Sequence, residues 1–76
     1  MATIEKVIEK LRRAGGEVRY CDVLRVIEHF EYKLDRVKGS HHIFVAEGKN
    51  HINIPVHKNK VKVVYVKLLF EEIGIE

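Results

Sequence analysis

The segment Lys33-Leu34-Asp35-Arg36-Val37-Lys38-Gly39-Ser40-His41-His42-Ile43-Phe44-Val45-Ala46 carries the architecture of this chain. Here the apolar residues stop recurring at helical spacing and begin to alternate, as they do in half-buried strands. Tyr32 and Leu34 read as the inward residues of a first strand that ends near Lys38. Gly39-Ser40 reads as a tight turn, and His41 to Ala46 as a second strand. Glu47-Gly48-Lys49-Asn50 then makes a hairpin turn into a third strand, His51 to Val56, in which Pro55 marks an edge or a terminus. Strands joined in sequence by short turns form an antiparallel meander.

Outward from the meander the period is helical. Ile4, Val7, Ile8 and Leu11 fall at i, i+3, i+4 and i+7, the stripe of a helix over about residues 3–13 with Thr3 as N-cap. Gly15-Gly16 stops it. A second helix, Tyr20 to His29, sets Val23, Leu24, Ile27 and Phe30 on one side. Beyond the third strand, His57 to Lys60 reads as a basic loop. Val66, Leu69, Phe70 and Ile73 then mark a last helix over about residues 63–73, closed by Gly74. The β-branched run Val61 to Val66 leaves the start of that helix the least defined boundary. The order α-α-β-β-β-α predicts one α+β domain over residues 1–76, with helices on one face of a three-stranded antiparallel sheet.

The chain has 76 residues, 46% hydrophobic and 33% charged, a globular composition with room for one small core. No apolar run approaches a membrane span, and charges interrupt the N-terminus before a signal peptide could form. Cys21 is the single cysteine, so no internal disulfide is possible and a reducing, cytoplasmic setting is expected. It falls in the second helix and reads as a buried packing residue. The net charge is +3, and all of the excess lies in the middle of the chain. Residues 1–32 balance, whereas residues 33–67 carry Lys33, Arg36, Lys38, Lys49, Lys58, Lys60, Lys62 and Lys67 against only Asp35 and Glu47. Glu71, Glu72 and Glu76 follow. Such a segment suits a phosphate-facing surface, and equally a solvated lysine-rich one.

Strand parity separates the histidines. If Phe44 points to the helices, so does His42, which then reads as a satisfied core histidine. His41 falls on the opposite, open face with Ile43 and Val45, at the first residue of the strand. An imidazole there suits phosphodiester cleavage by a ribose 2′-OH, because histidine exchanges protons near neutral pH and nearby cations stabilise the charge that builds on phosphate. A turn histidine bonded to backbone is the alternative. Adjacent strand histidines face opposite ways and do not readily share a metal ion. Phosphate-binding glycine loops, dinucleotide motifs and paired carboxylates are absent, so neither metal nor cofactor is expected.

The string Arg36-Val37-Lys38-Gly39-Ser40-His41-His42-Ile43-Phe44, a Gly-Ser-His turn with an aromatic three residues after the histidine, resembles the signature of the HicA family of mRNA-cleaving toxins. Val23 to Tyr32 resembles that family's first helix and entry into strand one, and Ile52-Asn53-Ile54-Pro55-Val56-His57 its third strand. The resemblance covers about residues 20–74 and implies a fold like a double-stranded-RNA-binding domain. It also implies metal-independent cleavage of single-stranded mRNA and neutralisation by a HicB-type antitoxin. The family's catalytic histidine falls on His41, in agreement with parity, and Gly39 and Ser40 match the turn that presents it. Arg36, Lys38, Gly39, Ser40, His57, Lys58 and Lys60 are the candidate RNA contacts, the basic residues chosen by position rather than by family match. Residues 1–16 are additional to the family core and could complete the core, form a homodimer contact or bind the antitoxin. Two other functions fit the same residues: a non-catalytic RNA-binding module, and a protein-interaction domain using Ile43 and Val45.

Overall fold

The computed structural model describes residues 3–75; Met1, Ala2 and Glu76 lie outside the described residues. The acidic end read from Glu71, Glu72 and Glu76 is therefore described through Glu72 only. The elements run α1 (Ile4–Arg13), β1 (Glu17–Arg19), α2 (Tyr20–His29), β2 (Lys33–Lys38), β3 (His41–Val45), β4 (Ile52–Pro55), β5 (Lys60–Lys62) and α3 (Val63–Ile73).

Thr3 caps α1 by accepting a hydrogen bond at Oγ1 from the Lys6 N–H at 3.3 Å. Glu5 in the first turn and Lys10, Arg12 and Arg13 in the last complement the helix dipole. Val7 and Leu11 are buried, with Ile4 and Ile8 packed partly against the same core. The N-terminal helix thus completes the core, the first of the three roles its sequence left open. On α2 the buried stripe is Val23, Val26 and Ile27, while Leu24 and Phe30 stay half-buried. Val23 and Ile27 face the core as expected, and Val26 joins them where Leu24 and Phe30 are only partly covered.

The main sheet is antiparallel in the order β2-β3-β4. Leu34–Phe44, Val37–His42 and Lys38–His41 are cross-strand pairs of β2 and β3, with an irregularity between Leu34 and Arg36. His41–Pro55, His42–Ile54, Ile43–Asn53 and Phe44–Ile52 pair β3 with β4. Phe44, Ile52 and Ile54 enter the same buried cluster as Val7, Leu11, Val23, Val26, Ile27, Val66, Leu69 and Phe70, so the helices cover one face. Burying a side chain such as Phe44 contributes about 1.5–3 kcal/mol relative to leaving it in water.

Three expectations need correction. Tyr32 is buried as predicted, but Leu34 is 49% exposed although it opposes Phe44. The reason is that β2 is the outer strand of the sheet, and its helix-side residues Leu34 and Val37 overhang the helical layer. The second correction is a two-stranded sheet absent from the expected order: β1 pairs antiparallel with β5, Val18 opposite Val61. Val61 is fully buried, so this short ribbon belongs to the core. It also divides the β-branched run, which is strand to Lys62 and helix from Val63, where the Val63 N–H donates to Gly16 O at 2.9 Å. The loop expected at His57–Lys60 is a two-residue hairpin, with Lys58 and Asn59 both left-handed at φ 50° and 62°. Reciprocal His57–Lys60 backbone bonds of 3.0 and 2.9 Å close it, as in a type I′ turn.

Candidate functional site

Lys38 and His41 are a directly opposed pair, so the connection between them is the two residues Gly39 and Ser40. Gly39 has φ 63°, a conformation that costs any other residue about 1–2 kcal/mol. Positive φ at the first turn position alone is the pattern of a type II′ turn, whose twist suits a hairpin. The Ser40 carbonyl then accepts from the Val56 N–H at 2.7 Å, tying the turn to the end of β4. This places His41 at a fixed strand position rather than on a loose loop.

The side chain of His41 is exposed, on the face away from the helices. Its register partners are Lys38 on β2 and Pro55 on β4, and the next row of that face holds Arg36, Ile43 and Asn53. His41 Nδ1 lies 2.9 Å from Asn53 Oδ1, a diagonal contact between β3 and β4. Asn53 was not among the candidate residues; a polar residue at an outward strand position gives no signal until the register is known. Arg36 holds Asp35 at 3.1 Å, an exposed ion pair of small energy that leaves the guanidinium on the surface. His42 points the other way, with Nδ1 3.3 Å from Ser40 O and its ring 4.9 Å from that of Tyr20. Burial, and after it the charge of Glu28, raise the Tyr20 phenol above its ordinary value.

Arg36, Lys38, Gly39, Ser40 and His41 are thus brought together on one face. Lys58 and Lys60 belong to the same end of the molecule but lie around the corner. With Arg19, Tyr20, Cys21 and Asn59 they line an open hollow of about 410 Å³, and the Tyr20 N–H donates to Asn59 O at 2.9 Å. His57 begins the hairpin that carries them.

The open face of the sheet thus presents basic side chains and an exposed histidine behind a Gly-Ser turn. Residues 20–75 match the family model described as HicA toxin of bacterial toxin-antitoxin. The chain belongs to the HicA toxin family. It is therefore a toxin of a toxin–antitoxin system, with an α+β fold of the double-stranded-RNA-binding type. No curated protein and no solved structure matches it. The HicA match begins at Tyr20, so α1 and β1 precede it in the chain yet are built into the core.

Other sequence candidates fall elsewhere. Cys21 is exposed in the first turn of α2 and not buried as expected, because the α2 stripe runs through Val23, Val26 and Ile27. Ile43 and Val45 are half-buried; among the described residues the exposed large apolar side chains are Leu34, Val37, Val64 and Leu68. Among the described residues no three His, Cys, Asp or Glu side chains converge as a ligand set, and no helix is long and apolar enough to cross a membrane.

Proposed function

We propose that this HicA toxin is an endoribonuclease, an mRNA interferase that cleaves single-stranded mRNA by acid–base catalysis without a metal ion. We assign the chain, residues 1–76, to one functional unit that acts in the cytoplasm and is neutralised by a HicB-type antitoxin. The observation that carries the reading is the exposed imidazole of His41, held at the start of β3 directly opposite Lys38.

His41 is the catalytic residue. As base it removes the proton of a ribose 2′-OH, whose oxygen then forms a bond to the adjacent phosphorus. The bond from phosphorus to the 5′-oxygen breaks, that oxygen takes a proton from solvent water, and His41 returns its proton to solvent, giving a 2′,3′-cyclic phosphate and a 5′-hydroxyl. Lys38 and Arg36 neutralise charge on the phosphate as the fifth P–O bond forms. The Gly39–Ser40 turn lets the RNA backbone approach His41, and His57, Lys58 and Lys60 extend the contact around the turn end.

The test is incubation of purified protein with a long RNA in EDTA. Cleavage by the wild type, lost in His41→Ala while the variant still retards the RNA on a gel, supports the assignment. Retardation without cleavage by the wild type favours an RNA-binding module. Neither cleavage nor binding favours a protein-interaction domain, for which the exposed Leu34, Val37, Val64 and Leu68 would be the contact residues.

A further inference from the structure

We infer that Asn53 is a positioning residue that fixes the tautomer of His41. The inference rests on the reading of His41 as the proton acceptor and adds a residue to it. Asn53 stands on β4 opposite Ile43, one row from His41 on the same open face. Its Oδ1 lies 2.9 Å from His41 Nδ1.

An amide oxygen can only accept a hydrogen bond, so the ring nitrogen facing it carries the hydrogen. In the neutral imidazole one nitrogen is the donor and the other the acceptor. A hydrogen fixed on Nδ1 leaves the lone pair on Nε2, at the far end of the ring from Asn53. Nε2 is then the atom that accepts the 2′-OH proton. An unconstrained imidazole favours the opposite form, with its hydrogen on Nε2, in which the outer nitrogen cannot act as a base. Asn53 thus turns the less favoured form into the dominant one and fixes the direction of the ring, as second partners of reacting histidines generally do.

The neighbouring strands explain why an amide serves where a carboxylate would alter the chemistry. The charged groups on this face of β2 are Lys38, opposite His41, Arg36, already paired with Asp35, and Lys33, opposite Val45 at the far end of the strand pair. A neutral acceptor orients the ring without adding a negative charge beside the phosphate that Lys38 and Arg36 are placed to attract.

The test uses the full chain labelled with nitrogen-15, with long-range proton–nitrogen spectra of the imidazoles at a pH where they are neutral. In the wild type, His41 shows the Nδ1–H pattern. Asn53→Ala shifts it to mainly Nε2–H and Asn53→Asp, which retains an acceptor, keeps it on Nδ1. RNA cleavage by Asn53→Ala falls by about 10-fold, less than the about 10² to 10⁴ expected for removing the imidazole. The acid limb of the rate profile moves to higher pH in Asn53→Asp. A wild-type His41 with its hydrogen on Nε2, or a tautomer unchanged in Asn53→Ala, overturns the inference. Because the spectra need no RNA, they report on Asn53 even where the wild type does not cleave, an outcome that would overturn the ribonuclease reading alone.

Discussion

His41 and His42 are neighbours in the chain and lie on opposite faces of one sheet, the first against Asn53 in the open and the second against Tyr20 on the helix side. The alternation of a strand separates them, and the two-residue turn before them fixes which is which. One imidazole is left for chemistry while the other is tied into the junction of the Gly39–Ser40 turn with α2.

Lys38 is expected to act through charge. Replacing it with Gln should weaken binding to all single-stranded RNA sequences and lower the slope of log affinity against log salt by about 0.7. Lys6→Gln, on the exposed side of α1 away from this face, should leave the slope unchanged. Filter binding across a salt series measures both.

Two helices end with a left-handed residue, and they differ in a way that can be used. Gly74 ends α3 at φ 92°, whereas Glu31 follows α2 at φ 69°. Both turns have the same bonding pattern: Ile75 N–H to Phe70 O at 2.8 Å, and Tyr32 N–H to Ile27 O at 3.2 Å. Glu31 bears the steric cost that glycine avoids. Glu31→Gly should therefore stabilise the protein by about 1 kcal/mol, read as a higher urea midpoint with an unchanged slope.

Leu11 tests whether the helix that precedes the family match belongs to the core. It is 1% exposed, so Leu11→Ala should cost about 2–5 kcal/mol. A domain of this size has little stability beyond that. Calorimetry should show a large fall in Tm or no cooperative transition, whereas a helix merely appended to the domain would give almost no change.

Tyr32 gives the protein an alkaline limit. Burial first, and the charge of Glu72 second, raise its phenol above the usual 10.0. As pH rises through the unfolded value towards the higher folded one, the unfolded chain loses a proton that the folded chain keeps, and stability falls. Tyr20, shifted in the same direction, adds to the slope. Below that window neither contributes a pH dependence. Tyr32→Phe should flatten the decline in denaturation midpoint above about pH 10 without removing it.

The parts legible in the sequence were those governed by local periodicity. The stripe Ile4, Val7, Ile8 and Leu11, the meander and the opposite facing of His41 and His42 all follow from spacing. What escaped depends on tertiary placement. Val18 and Val61 sit in strands of three residues, too short to display a period, and become a pair only when segments 41 residues or more apart in sequence come together as β1 and β5. Leu34 has the pattern of an inward residue, but nothing local says that its strand is the outer one. Asn53 acquires a role only through the register that brings it to His41.

The most direct measurement is the rate at which purified protein cuts a long RNA in EDTA, wild type against His41→Ala. We predict cleavage by the wild type to cyclic-phosphate ends, and a loss of about 10² to 10⁴ in the variant with its fold and RNA affinity retained. Equal cleavage by the two proteins would contradict the assignment of His41, and an intact RNA with the wild type would contradict the ribonuclease reading itself.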